Sequence, residues 1–296
     1  MAARPYSQRS AHAGASDIEA PLVDAHAHIF PRDVPLTARA WSRPDYGFTA
    51  EDYLGAMDAS GVHFGVIAAM SITGDYNDYV VDAVATNRRL RGTVYVPPSI
   101  PRGELREMAE AGIVGLRLFR SARSFVEVDD ITTDEYRILF RRARDLDWHV
   151  HIAVDADLLD ETLTVLNASG VKIVVDHFGN PDRDLLERAP QIAPILRSVE
   201  KGRTWVKISA GYRLAEAASH RTPSDYAAAR ERERRLDAYF VNEVGADRLL
   251  WGSDAPFIGH EESVTYQDTV DAYVQAVPAA ETRREIDRTG LDLYFG

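Results

Sequence analysis

Two histidines open the part of the sequence that could do chemistry. Asp24-Ala25-His26-Ala27-His28 puts imidazoles at i and i+2 of an extended run, where alternate side chains share a face. Such a pair can converge on one metal ion or on one oxyanion. The same residue types return in His149-Val150-His151, in Val175-Asp176-His177 and in Trp251-Gly252-Ser253-Asp254. Imidazoles with a carboxylate are what Zn²⁺ binding and the activation of a hydrolytic water both require. Taken singly, each has a plainer reading: a surface His-x-His arises by chance, and a lone buried histidine is usually a satisfied core residue. For His149 the core-facing reading is preferred. Arginine forms a second set. Only Lys172, Lys201 and Lys207 of the 34 basic residues are lysine, and Arg117, Arg120, Arg123 and Arg213 fall close to the same segments. A planar guanidinium suits bidentate recognition of carboxylates. Arg120 should point away from Arg117, because three positions along a strand reverse the face.

These residues are scattered over more than 200 positions, so the fold must gather them. Eight short apolar or β-branched runs read as strands: Pro21–Ala25, Phe64–Met70, Arg91–Val96, Val114–Phe119, His149–Val154, Lys172–Asp176, Thr204–Ser209 and Arg248–Trp251. Amphipathic stretches alternate with them. Thr49 opens a helix that stops near Gly61. Thr132-x-x-Glu135 reads as a capping box for a helix burying Tyr136, Leu139, Phe140, Ala143 and Leu146. A long charged helix over 224–244 turns Tyr226, Leu236, Tyr239 and Phe240 inward. The alternation predicts an α/β fold, a single-domain (β/α)8 TIM barrel over residues 20–296 behind a flexible tail at 1–19. An open doubly wound sheet is the runner-up, weakened because no Gly-x-Gly-x-x-Gly loop follows the first strand. In a barrel, chemistry stands at the C-terminal ends of the strands, which is where these histidines and Asp254 fall.

Composition narrows the function classes. With 46 acidic and 34 basic residues the net charge is −12, which argues against nucleic-acid and polybasic membrane partners. The absence of cysteine excludes disulfides, thiolate ligands and a thiol nucleophile. No apolar run approaches the ~18 residues of a membrane span and no signal-type core precedes the first strand. A cytoplasmic enzyme, with homo-oligomerisation left open, is the resulting expectation.

The Asp24-x-His26-x-His28 start, the His177 step and the Gly252-Ser253-Asp254-Ala255-Pro256 end resemble the amidohydrolase superfamily. Within it the chain is most similar to the group of TIM-barrel hydrolases that contains the pyrone-dicarboxylate lactonases. Gly115-Leu116-Arg117, Val206-Lys207-Ile208-Ser209 and Leu293-Tyr294-Phe295-Gly296 fall in the matching order. The resemblance implies catalytic roles for Asp254, His177, His26 and His28. It implies carboxylate or substrate contacts from Arg117, Arg123, Arg213, Tyr46 and Ser71. Many members bridge two metals with a lysine on strand four, whereas Val114–Phe119 has none. One divalent ion, Zn²⁺ in the first instance, held by His26, His28, His151 and Asp254, is the expected cofactor; a metal-free mechanism is the alternative. The lactonase group has glutamine in place of His151 and tyrosine in place of Ala153.

The leading reading is hydrolysis of a lactone or related cyclic ester of a small carboxylate-bearing molecule, with Asp254 assisting attack by water. One alternative is a Zn-dependent non-oxidative decarboxylase of an aromatic or muconate-type acid, which the resemblance also accommodates through His151. Another is a non-catalytic binder of small acids.

Overall fold

Runs of Val, Ile, Leu and Ala too short for helices pair side by side as parallel strands, and the amphipathic segments between them return the chain along the outside. In the computed structural model, which describes residues 19–121, 129–215 and 222–296, the strands are β1 (Val23–Ala27), β2 (Phe64–Ala68), β3 (Leu90–Val94), β4 (Ile113–Arg120), β5 (His149–Val154), β6 (Lys172–Val175), β7 (Thr204–Ser209) and β8 (Leu249–Gly252). The helices are α1 (Ala50–Ser60), α2 (Asp78–Thr86), α3 (Arg102–Ala111), α4 (Asp134–Asp145), α5 (Ala156–Ser169), α6 (Ile192–Glu200), α7 (Pro223–Glu243), α8 (Tyr266–Ala276) and α9 (Ala280–Tyr294). The strands lie in the order β1 to β8, each parallel to the next. Closure follows just beyond the last strand. The Asp254 N–H donates to His26 O at 2.7 Å and the His28 N–H to Ala255 O at 2.7 Å, around a parallel bridge between Ala27 and Ala255. The expected barrel is therefore the observed one.

All eight expected strands form, with ends moved by a residue or two. β1 begins at Val23 rather than Pro21 because the first N–H groups, Leu22 and Val23, donate to Asp287 of α9 at 2.8 and 3.3 Å. Thr49 caps α1 in a reciprocal capping box with Asp52, and Gly61 ends it at φ 77. The cap of α4 is Thr133, not Thr132. The Thr132 hydroxyl donates to Asp130 at 2.6 Å, which leaves the neighbouring threonine to accept from the Tyr136 N–H. Along α7, Tyr226, Leu236 and Phe240 are buried and Tyr239 is half-buried. The tail expected at 1–19 lies, except for Glu19, outside the described residues.

The main core lies between strands and helices. A smaller cluster joins Ala25, Val66, Val174 and Leu250 to Tyr294 at the end of α9. Phe295 packs on Phe64, the first residue of β2, so the chain end covers the N-terminal mouth and leaves the C-terminal mouth for the site. His149 sits between these layers. It is 1% exposed, its ring meets Tyr294 edge-on at 5.2 Å, and it fills the space where a Cβ on Gly115 would stand 2.5 Å from its Cε1. It is the core-facing histidine expected.

Burial pushes the His149 imidazole down to about 3 from its ordinary value near 6.5. The unfolded chain takes up this proton below about 6.5 and the folded chain does not. The associated stability is complete above that pH and is lost as pH falls toward 3. Each lost unit costs at most ~1.4 kcal/mol. Urea midpoints measured from pH 7 to 4 should fall less steeply for His149→Phe than for the wild type; equal slopes would show that this histidine titrates freely.

Candidate active site

His26 and His28 leave β1 with their Nε2 atoms 3.3 Å apart. Asp254 Oδ1, just past β8, lies 3.5 Å from the first and 3.4 Å from the second. The protons on these rings follow from their other nitrogens. His28 Nδ1 is 2.7 Å from the Ala68 carbonyl, which can only accept, so Nδ1 carries the proton and Nε2 is bare. His26 Nδ1 is 3.1 Å from the Asp176 carboxylate and 3.3 Å from Lys207 Nζ, and the nearer, acceptor-only carboxylate favours a proton on Nδ1. Asp254 Oδ1 is buried and has no hydrogen-bond partner among the described residues. Three acceptors thus face one another with no donor between them, which is unfavourable unless a cation joins them. Ligand–metal bonds of ~2.0–2.1 Å in a tetrahedral site put donors roughly 3.3–3.4 Å apart, the spacing seen here. The donor set fits a divalent ion.

The strand ends are held together by a residue that is not a ligand. Asp24 Oδ1 accepts the N–H groups of His26 at 3.0 Å and Ser253 at 2.9 Å. Its Oδ2 accepts the hydroxyls of Ser253 at 2.6 Å and Tyr266 at 2.9 Å. Gly252 is required beside them, because a Cβ there would lie 2.6 Å from that of His26. Asp254 adopts φ 63, uncommon for a side-chain-bearing residue. Its Oδ2 is gripped by the Tyr212 hydroxyl at 2.5 Å and Arg213 Nη2 at 2.6 Å, leaving Oδ1 for the histidines. Burial alone would raise this carboxyl. Arg213 and His177 outweigh it and hold Asp254 well below the ordinary carboxylate range.

His177 stands on the turn after β6 at φ 48, its Nε2 3.8 Å from Asp254 Oδ1 and its Nδ1 2.8 Å from Ser209 Oγ. Burial pushes it down to about 4, so the ring is neutral at physiological pH. His151, expected as a fourth ligand, lies with a different set of partners. Its Nε2 faces Asp176 Oδ1 in a very short contact, Arg117 Nη1 at 2.7 Å and Lys207 Nζ at 2.8 Å. Register explains it: β4 and β5 pair Arg117 with His151 directly, so guanidinium and imidazole leave the same face side by side. The metal-capable donors accordingly fall into two triads that share His26, one with His177 and Asp254 and one with His151 and Asp176.

Sequence reasoning gave no role to Asp176, Lys207, Ser209 or Tyr212. Lys207 and Ser209 alternate along β7, so the residue two before the strand's polar end was the available signal. Lys207 is fully buried, and burial pushes its ammonium down to about 7.

A cavity of about 780 Å³ opens above His26, His28 and His177. Arg117, Ser71, Arg213 and Ala153 line it, with Trp41 and Phe119 on its apolar wall. Arg213 keeps 39% of its side chain exposed while holding Asp254. Arg117 is 6% exposed and spends Nη1 on Asp176 at 2.7 Å, so it is less free to meet a ligand than its position suggests. Arg120 turns outward to Thr162, as alternation requires. Tyr46 is not among the cavity's lining residues; its hydroxyl donates to Glu261 at 2.8 Å. Arg123 lies outside the described residues. Among the described residues no helix is long and apolar enough to cross a membrane.

The family model described as Amidohydrolase matches residues 23–288. A 4-sulfomuconolactone hydrolase from Rhizobium radiobacter is 28% identical, the match covering 84% of this chain and 80% of the relative. A 2-pyrone-4,6-dicarboxylate hydrolase from Comamonas testosteroni is also 28% identical, over 91% of this chain and 88% of its own length. The solved structure of a probable 2-pyrone-4,6-dicarboxylic acid hydrolase from Acinetobacter baumannii, with citric acid bound, superposes with a TM-score of 0.83 at 26% identity, covering 93% of this chain and all of that one.

Removing the clamp strands four buried donors at once. Asp24→Ala should lose about 3 kcal/mol or more of unfolding free energy in urea melts, each orphaned buried donor costing ~1–3 kcal/mol. A loss below about 1 kcal/mol would show that β8 is held to β1 without it.

Proposed function

The chain belongs to the amidohydrolase family, and from that premise we propose that it opens the ring of a small lactone bearing carboxylates by hydrolysis. One observation carries the reading. Three bare acceptors, His26 Nε2, His28 Nε2 and Asp254 Oδ1, converge within 3.5 Å beneath a cavity whose wall presents Arg213. Two relatives that match over most of their length are named for hydrolysis of a sulfomuconolactone and of a pyrone dicarboxylate, both lactones with further acidic groups. Ala153, where the lactonase resemblance sets a tyrosine, leaves room beside Phe119 for a different ring substituent.

His26, His28 and Asp254 would hold one divalent ion, which supplies Lewis acidity and lowers the pKa of a water bound to it. The rest is the work of the side chains. The exposed part of the Arg213 guanidinium pairs with a substrate carboxylate and sets the ring in the cavity. With the Ser209 hydroxyl, 2.8 Å away, as donor to His177 Nδ1, the neutral imidazole carries its proton on Nε2. That N–H faces the space where the lactone carbonyl gathers negative charge and stabilises the tetrahedral oxyanion. Asp254, kept ionised, accepts the proton of the attacking water through Oδ1. As the acyl C–O bond breaks, it returns the proton to the ring oxygen. Water has then been added across the ester, giving a ring-opened acid.

The decarboxylase reading drew its support from His151 as a fourth ligand. The engagement of His151 by Asp176, Arg117 and Lys207 favours the hydrolase instead.

Purified protein assayed with 2-pyrone-4,6-dicarboxylate and other acidic lactones should yield the ring-opened acid and no CO2. Elemental analysis should find one divalent ion per chain, and chelation should stop turnover. CO2 release would move the assignment to the lyase. Asp254→Asn should lower kcat by about 10²–10⁴-fold with the fold retained by circular dichroism. Arg213→Met should raise KM by about 10–100-fold, the worth of one charged hydrogen bond of ~1.5–3 kcal/mol; an unchanged KM would remove the carboxylate contact from the scheme.

A further inference from the structure

Two donor triads stand on opposite sides of the His26 ring, and they differ in one respect. On the Nε2 side, where His28, His177 and Asp254 gather below the cavity, no lysine or arginine of the described residues lies between His26 Nε2, His28 Nε2 and Asp254 Oδ1. The triad with His151 and Asp176, on the Nδ1 side, is already filled. Lys207 Nζ lies 2.8 Å from His151 Nε2, 3.3 Å from His26 Nδ1 and 3.8 Å from Asp176 Oδ1. Arg117 Nη1 lies 2.7 Å from both His151 Nε2 and Asp176 Oδ2. All five side chains are buried, from 0 to 6% exposed. A metal ion at His151 Nε2 would stand within about a bond length of the space these two cations occupy. Like charges that close, shielded from water, repel by several kcal/mol.

We infer that Lys207 and Arg117 take the place of a second metal ion, and that Asp176, which they hold, is the positioning residue that keeps the His26 proton on Nδ1 and its Nε2 bare for the first ion. Asp176 can do this because its carboxylate is anchored on both oxygens by fixed cations while remaining 3.1 Å from His26 Nδ1. A neutral imidazole has one proton to place. On Nδ1 it meets an ionised carboxylate; on Nε2 it would leave Nδ1 with its lone pair against that carboxylate. The carboxylate–histidine pair behind a ligating nitrogen raises the basicity of that nitrogen and fixes its direction. His151 is engaged within the cluster, between an acceptor, Asp176, and two donors, Arg117 and Lys207, and not as a ligand. Its exchange for glutamine would keep a side chain able to donate to the carboxylate and accept from the cations. This inference rests on the single-ion reading under Proposed function for its stoichiometry and stands apart from it for the tautomer.

The test uses full-length protein stripped with chelator and titrated with Zn²⁺ by calorimetry, alongside ¹⁵N NMR of the histidine rings. The wild type should take up one equivalent, and its His26 signals should show Nδ1 protonated before metal is added. His151→Gln should keep the equivalent with an affinity within about threefold. Asp176→Asn should weaken uptake by about 10–100-fold and shift the His26 ring toward the other tautomer. Loss of the ion in His151→Gln, or unchanged affinity and ring signals in Asp176→Asn, would overturn the inference. Should Asp176→Asn not fold, Lys207→Met carries the same question: with one charge gone, the lower donors should bind a second, weaker equivalent. A strict single equivalent in that variant would show that the side-chain cations do not fill the place. If the wild type binds no Zn²⁺, the single-ion reading fails by itself and the His26 tautomer in wild type and Asp176→Asn decides this one.

Discussion

The closing of β8 against β1 is the contact on which the site depends. The two main-chain hydrogen bonds that complete the barrel begin and end at His26, His28, Asp254 and Ala255, so one register sets both the closure and the chemistry. A slip of one residue would turn His26 and His28 to the other face and carry Asp254 away from them. Asp24 guards that register with four accepted hydrogen bonds, two of them from Ser253. The first aspartate of the Asp-x-His-x-His segment thus does structural work that makes the two histidines usable.

Around this seam the buried charges are arranged in two storeys. Above, Asp254 is ionised chiefly because of Arg213; Arg213 and Tyr212 hold one of its oxygens, and the other is left to face the imidazoles. Below, Asp176 is ionised because Arg117 and Lys207 hold it. Each carboxylate would be costly to bury alone; Asp176 is offset by cations on β4 and β7, and Asp254 by Arg213 in the turn after β7. His26 is the one side chain that touches both storeys, with Nδ1 in the lower and Nε2 in the upper. Burial, with nearby Lys207, keeps the His26 imidazole neutral, which is the form a metal ligand needs.

The cavity adds selectivity to this centre. Its arginines Arg117, Arg183 and Arg213 come from separate loops and strands, and Arg213 keeps part of its guanidinium exposed while holding Asp254. Ala153, paired with Phe119 across β4 and β5, puts a small side chain beside a large one on the cavity wall.

Much of this was legible in the linear chain. Eight apolar runs bounded by Gly, Pro or Asp give strands because their lengths and branching suit little else, and their alternation with amphipathic helices leads to a barrel. The polar residues at the run ends named His26, His28, His177 and Asp254, since a barrel must bring strand ends to one mouth. Arg120 could be set apart from Arg117 by counting alone. What only the folded chain decided was pairing across strands. The β4–β5 register puts Arg117 beside His151, and β7 brings Lys207 beneath both. A nitrogen that reads as a free ligand in sequence is thereby spent on two cations. Which partner a side chain meets depends on register and on competition among neighbours in three dimensions, and neither is written in the spacing of residues along one strand.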